Sequence, residues 1–118
     1  MKTHRVPLND GTTIPQLGFG VLFVPDGETE DVVGTALDVG YRHIDTAQLY
    51  HNEAGVGRAL ARSGLPREEL YVTTKLHNGY HEPARATASL SESLDRLGLD
   101  HVDLFLIHWP LPTLYNGD

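Results

Sequence analysis

Runs of two different periods alternate along this chain, and that alternation restricts the fold more than any other feature of the sequence. Short β-branched or continuously apolar runs are separated by longer stretches whose apolar positions recur at helical spacing. Val6-Pro7-Leu8 and Thr12-Thr13-Ile14 flank Asn9-Asp10-Gly11, a hairpin turn signal. Gln16 to Val21 then reads as a short strand ending in glycines. Thr29 is placed to cap a helix through Val39, with Val32, Val33, Ala36 and Leu37 on one face and Gly40 at the stop. Tyr41 to Ile44 reads as a strand that ends at Asp45. A helix from Glu53 to Arg62 carries Val56, Ala59 and Leu60, and Leu70 to Thr74 forms a β-branched strand ending at Lys75. Glu82-Pro83 opens a third helix, since proline is tolerated in the first turn. That helix carries Ala86, Leu90, Leu94 and Leu97 on one face and stops at Gly98. Val102 to Ile107 is a fourth strand, ending at His108, and Trp109-Pro110-Leu111-Pro112 forces an extended loop.

A hairpin followed by β-α-β-α-β-α-β implies an α/β fold with a parallel sheet and helices packed on it. Leu104-Phe105-Leu106-Ile107 is apolar without alternation, as a strand buried on both faces is. A doubly wound sheet and a barrel both fit this order.

Charge and composition narrow the partners. There are 9 Lys+Arg against 16 Asp+Glu. This balance disfavours nucleic acid and anionic membrane, because phosphate contact needs a basic face. One phosphate-bearing cofactor needs only a local pocket and stays open. Without cysteine the chain has no disulfide, thiolate or Cys-zinc chemistry. The longest apolar run, Leu104 to Ile107, is too short to span a bilayer, and no apolar stretch follows a basic start. These features predict a soluble, cytoplasmic protein.

Three successive strands end in an ionisable residue: Asp45, Lys75 and His108. Side chains at the carboxyl ends of parallel strands converge on one face, where active sites of such proteins form. The structural alternative is an ion pair between Asp45 and Lys75 with His108 beside it. Tyr50 follows Asp45 in the loop that rises from the same face, so its phenol can reach over the pocket. Free tyrosine has a pKa of about 10 and donates its proton sluggishly at neutral pH. A cation within ~4–6 Å favours the phenolate and can lower that pKa by ~1–3 units. Lys75 is the candidate cation, Asp45 would hold it in place, and His108 could donate a hydrogen bond to a carbonyl oxygen. The set suits protonation of an oxygen that is gaining negative charge. Asp45 as a metal ligand fits less well, because a neighbouring lysine competes with the metal.

Several stretches resemble the aldo-keto reductase family. They are Tyr41-Arg42-His43-Ile44-Asp45-Thr46-Ala47-Gln48-Leu49-Tyr50-His51-Asn52-Glu53, Gly55-Val56-Gly57-Arg58-Ala59-Leu60, Val72-Thr73-Thr74-Lys75-Leu76, and Asp103-Leu104-Phe105-Leu106-Ile107-His108-Trp109-Pro110. The likeness runs from the hairpin onward and is closest to the bacterial branch with the 2,5-diketo-gluconate reductases. The resemblance implies a TIM (β/α)8 barrel with a hairpin closing its bottom. It implies NAD(P)H-dependent reduction of aldehydes and ketones, with NADPH as the usual cofactor, NADH as the alternative, and no metal. By the same resemblance Tyr50 is the proton donor, Lys75 lowers its pKa, Asp45 partners the lysine near the nicotinamide ribose, and His108 orients the substrate carbonyl. Gly20 and Val21 match backbone that passes the nicotinamide, and Trp109 matches an aromatic wall of the substrate pocket. Many relatives carry an aromatic residue at Leu22 and a tryptophan at His77, so both positions predict an altered substrate pocket. Gly18 and Gly20 also read as a tight strand exit.

A barrel of this type runs to about 250 residues, against 118 here. Residues 1–118 therefore read as the N-terminal half of such a domain: the hairpin, about four parallel strands and three helices. The expectation is a truncated chain that binds NADPH weakly, with self-association of the incomplete barrel as one outcome of its open edge. The competing reading is a catalytically incompetent fragment or binding module that kept the motifs. A metal-dependent barrel hydrolase fits poorly, since Phe19-Gly20-Val21 stands where that class has His-x-His. His77 and His81 have a metal-pair spacing, but Asn78-Gly79 between them reads as a turn. His43, mid-strand, reads as buried structure.

Overall fold

The computed structural model describes residues 3–111. Pro112, the last residue of the expected extended loop, lies outside them. Strand β1 (Arg5–Pro7) pairs antiparallel with β2 (Thr13–Pro15). The Asp10 carboxylate closes the turn by accepting from the backbone and hydroxyl of Thr12, and Gly11 supplies the positive φ of 87°.

The rest is a parallel sheet of β3 (Phe19–Gly20), β4 (His43–Asp45), β5 (Tyr71–Leu76) and β6 (Leu104–Ile107), with α1 (Asp26–Asp38), α2 (Glu53–Arg62) and α3 (Pro83–Leu97) as the crossovers. The spatial order β3-β4-β5-β6 follows the chain. A doubly wound sheet reverses its order at a switch point, whereas a barrel adds each strand beside the last. The structure thus resolves the choice that the sequence left open: the described residues are part of a (β/α) barrel. Helix α2 packs against both α1 and α3. All three helices then line one side of the sheet, and its other side faces the barrel interior.

The core lies between sheet and helices. Val33 and Leu37 of α1, Val56, Ala59 and Leu60 of α2, and Leu97 of α3 close on Ile44 and Val72 of the sheet. Two glycines bring α2 this close. A Cβ on Gly57 would sit 2.5 Å from the Leu97 carbonyl oxygen, and one on Gly55 would sit 2.7 Å from Thr29 Cβ.

Several boundaries differ from expectation, among them β4, which starts at His43 and not at Tyr41. Helix α1 starts at Asp26, with Pro25 before it, and Thr29 does not cap it. Thr29 is buried and its hydroxyl donates back to the Pro25 carbonyl at 2.8 Å. Asp26 and Glu28 suit the positive helix start. Strand β3 is shorter than Gln16 to Val21, because Gly18 lies against the His43 ring, where a Cβ would meet Nδ1 at 2.8 Å. Strand β6 starts at Leu104, since the Asp103 carboxylate is drawn off to the Val72 N–H (2.8 Å) and to Arg67 (2.7 Å).

Candidate active site

Register decides which strand ends meet. Asp45 pairs with Thr73, so Lys75, two residues on, projects from the same face. Lys75 in turn pairs with Leu106, which puts His108 on that face one step further. The helices cover the opposite face, where Thr74 donates to Glu53 at 2.7 Å. Asp45, Lys75 and His108 therefore rise like a stair along the interior of three adjacent strands.

Tyr50 reaches the same place from a short 3-10 helix, Gln48–Tyr50. His51, at φ 55°, ends that helix after a single turn. The Lys75 ammonium uses all three donors: to Asp45 Oδ1 at 2.5 Å, to the Thr46 carbonyl at 2.9 Å and to the Tyr50 hydroxyl at 3.3 Å. It also lies 4.9 Å from the centre of the Tyr50 ring. The lysine side chain is 13% exposed and that of Asp45 31%. The pair is thus sheltered from bulk water but not sealed from it. His108 meets the Tyr50 ring edge-on, with centroids 5.6 Å apart. Burial, reinforced by the Lys75 charge, holds the His108 imidazole below its ordinary pKa of 6.5. A neutral ring is the form that can donate one hydrogen bond without adding a second cation beside Lys75.

The other expected positions surround this centre. Gly20 pairs with Asp45, and the Val21 N–H donates to the Asp45 carbonyl at 3.2 Å. Gly20 is exposed, with no atom within 4 Å of where its Cβ would stand. That leaves an open approach beside Asp45. Leu22 and Trp109 are exposed, and His77 is half-buried where the chain leaves β5. His43 is buried in the barrel interior, bonded to Thr73 at 2.8 Å. No group of three metal-binding side chains forms among the described residues. A cleft of about 470 Å³ lies on the helical side, between α2 and α3. Convergent polar groups, not concavity, mark the candidate site.

Three residues with a bearing on the site are invisible to the strand-end argument. Asn52 is fully buried; it accepts from the Thr46 hydroxyl at 2.7 Å and donates to the Val21 and Val24 carbonyls. It thereby pins the loop after β3 to the start of α2. Glu53 is buried against Thr74 and Arg96. Gln48 joins the Tyr50 helix to α3 through Ser89 and Ser93. A buried polar side chain with all its partners in other elements leaves no local sequence signal.

Similarity to known proteins agrees with this geometry. The sequence model of the aldo/keto reductase family matches residues 16–116. An aldo-keto reductase from Mycolicibacterium paratuberculosis is 59% identical over 112 residues, which cover 92% of this chain and 38% of that protein. A crystal structure of an aldo/keto reductase from Brucella melitensis superposes with a TM-score of 0.92 at 48% identity, covering 95% of this chain and 43% of the other. An aldo-keto reductase from Bombyx mori in complex with NADP gives a TM-score of 0.88 at 42% identity, with 93% and 39% covered. The chain spans about two fifths of the length of these relatives.

Proposed function

The chain belongs to the aldo/keto reductase family, and from that premise we propose that it carries the acid–base machinery for NADPH-dependent reduction of small aldehydes and ketones to alcohols. The observation that carries the reading is the Lys75 ammonium held between the Asp45 carboxylate and the Tyr50 hydroxyl. NADPH supplies hydride to the carbonyl carbon when bound, with NADH as the alternative donor. Gly20, Val21 and Asp45 would hold its nicotinamide end. Tyr50 donates its proton to the carbonyl oxygen as negative charge grows there. Lys75 stabilises the charge that the departing proton leaves on the phenol oxygen, and Asp45 and the Thr46 carbonyl keep the ammonium aimed. His108, neutral beside the Tyr50 ring, donates a hydrogen bond that turns the carbonyl oxygen toward the phenol. Trp109, Leu22 and His77 form the substrate walls.

Residues 1–118 would then be the N-terminal half of the barrel domain. The expected test result is NADPH consumption with a small aldehyde, lowered by about 10²–10⁴-fold in Tyr50→Phe, the usual worth of a positioned acid. Turnover by Tyr50→Phe at the wild-type rate would refute the assignment. A second reading is a binding module that kept the site without turnover. Tight NADPH binding with no aldehyde reduction would support that reading instead.

A further inference from the structure

Gln48 sits two residues before Tyr50 and is only 7% exposed, yet the proton transfer does not use it. A buried amide has two donors and an acceptor oxygen, and each costs free energy if unpaired. Here both ends are engaged. Nε2 shares its two hydrogens among Ser93 Oγ at 3.0 Å, Ser89 Oγ at 3.1 Å and the Ser89 carbonyl at 3.2 Å. Oε1 accepts the backbone N–H of His77 at 2.6 Å. One side chain therefore ties together the helix that carries Tyr50, the middle of α3 and the turn by which the chain leaves β5.

The His77 ring is fixed from further sides. Its Nδ1 accepts the Gly79 N–H at 2.9 Å, so the neutral ring carries its proton on Nε2. Its face stacks on Tyr80 at 4.3 Å. The Arg85 guanidinium lies over the same phenol ring at 4.0 Å and is held there by donating two hydrogen bonds to the Glu92 carboxylate. Orientation of the imidazole thus comes from its own turn and α3. Its position relative to Tyr50 comes through Gln48.

We propose that Gln48 is a positioning residue that sets the spacing between Tyr50 and the His77 wall of the substrate pocket, and through it the affinity for the carbonyl substrate. The proposal rests on the reading of His77 as a pocket wall. A strut of this kind acts on substrate fit, so it moves KM more than the chemical step.

The test uses the isotope-labelled full chain. Gln48→Leu removes both polar ends at similar volume, while Gln48→Glu keeps an oxygen to accept the His77 N–H. In Gln48→Leu the His77 amide should exchange with solvent about tenfold faster than in the wild type, with the Val56 amide unchanged. Gln48→Glu should restore the slow rate. In NADPH-dependent turnover of a small aldehyde, Gln48→Leu should raise KM several-fold with kcat within about twofold of wild type. Unchanged His77 exchange in a folded Gln48→Leu, or a fall in kcat at constant KM, overturns the proposal. If Gln48→Leu does not fold, Ser93→Ala loosens Gln48 from α3 and must speed His77 exchange in the same sense; no change there also overturns it. If the wild type does not turn over aldehyde at all, the functional reading fails on its own, and amide exchange still decides whether Gln48 positions His77.

Discussion

Histidines on the interior face carry the pH response at the scale of single residues. Burial is the main cause that holds His43 below its ordinary 6.5, with Asp45 and Asp103 working against it. His108 is held down in the same direction by burial and by Lys75. A folded-state pKa below the unfolded one means that the unfolded chain binds more protons in the window between them. Stability is therefore complete above pH 6.5 and is lost as pH falls through that value toward the folded pKa. The Asp and Glu groups with lowered values act in a separate, more acidic window. Thermal unfolding should show a Tm that drops from pH 7 toward pH 5, with a shallower drop in His43→Gln, which cannot charge. An equally steep drop in that variant would assign the effect to other groups.

Contacts between elements make two substitutions informative. Gly57→Ala gains about 1 kcal/mol of helix propensity. The added methyl, however, meets backbone of α3 at 2.5 Å, and backbone cannot swing aside as a side chain does. Overpacking costs about 1–3 kcal/mol, so a net loss of stability is expected in chemical denaturation. Arg96→Met removes the cationic partner of Glu53, whose side chain is 1% exposed and keeps only the Thr74 hydroxyl among its described side-chain partners. Leaving a buried carboxylate unpaired costs about 3–5 kcal/mol; the lower end is expected, since Arg96 itself is 43% exposed. At this scale the sequence was most readable where local chemistry decides. The Asp-Gly hairpin, the Glu53–Arg62 helix and the Gly98 stop all form as expected, the last with φ 68°. It was least readable where tertiary partners decide. The leucine stripe expected on α3 is only half-buried at Leu90 and Leu94, while Ser89 and Ser93 are fully buried because Gln48 needs their polar groups. Among the candidate site residues, Asp45, Lys75 and His108 were legible because strand period and strand ends are local. The reach of Tyr50 and the struts Gln48, Asn52 and Glu53 depend on elements far apart in the chain.

Across the whole molecule, exposed large apolar side chains gather at the two edges of the parallel sheet. Ile107 on β6 is 66% exposed, with Leu106, Trp109 and Leu111 near it. Phe23, just after β3, is 91% exposed and held at φ 64°. Unpaired strands with apolar side chains are templates for further pairing. The 118-residue chain should therefore associate as its concentration rises, and sedimentation velocity across a concentration series checks this; a monomer at every concentration would contradict it. The central claim, that the Lys75 ammonium and the Tyr50 phenol act as one unit, is tested most directly by a double-mutant cycle. Single-turnover reduction of a small aldehyde at saturating NADPH is measured for wild type, Tyr50→Phe, Lys75→Met and the double variant. Groups that act together are non-additive, so the double variant should lose no more rate than Tyr50→Phe alone. Losses that multiply would show the two side chains working independently and would contradict the account.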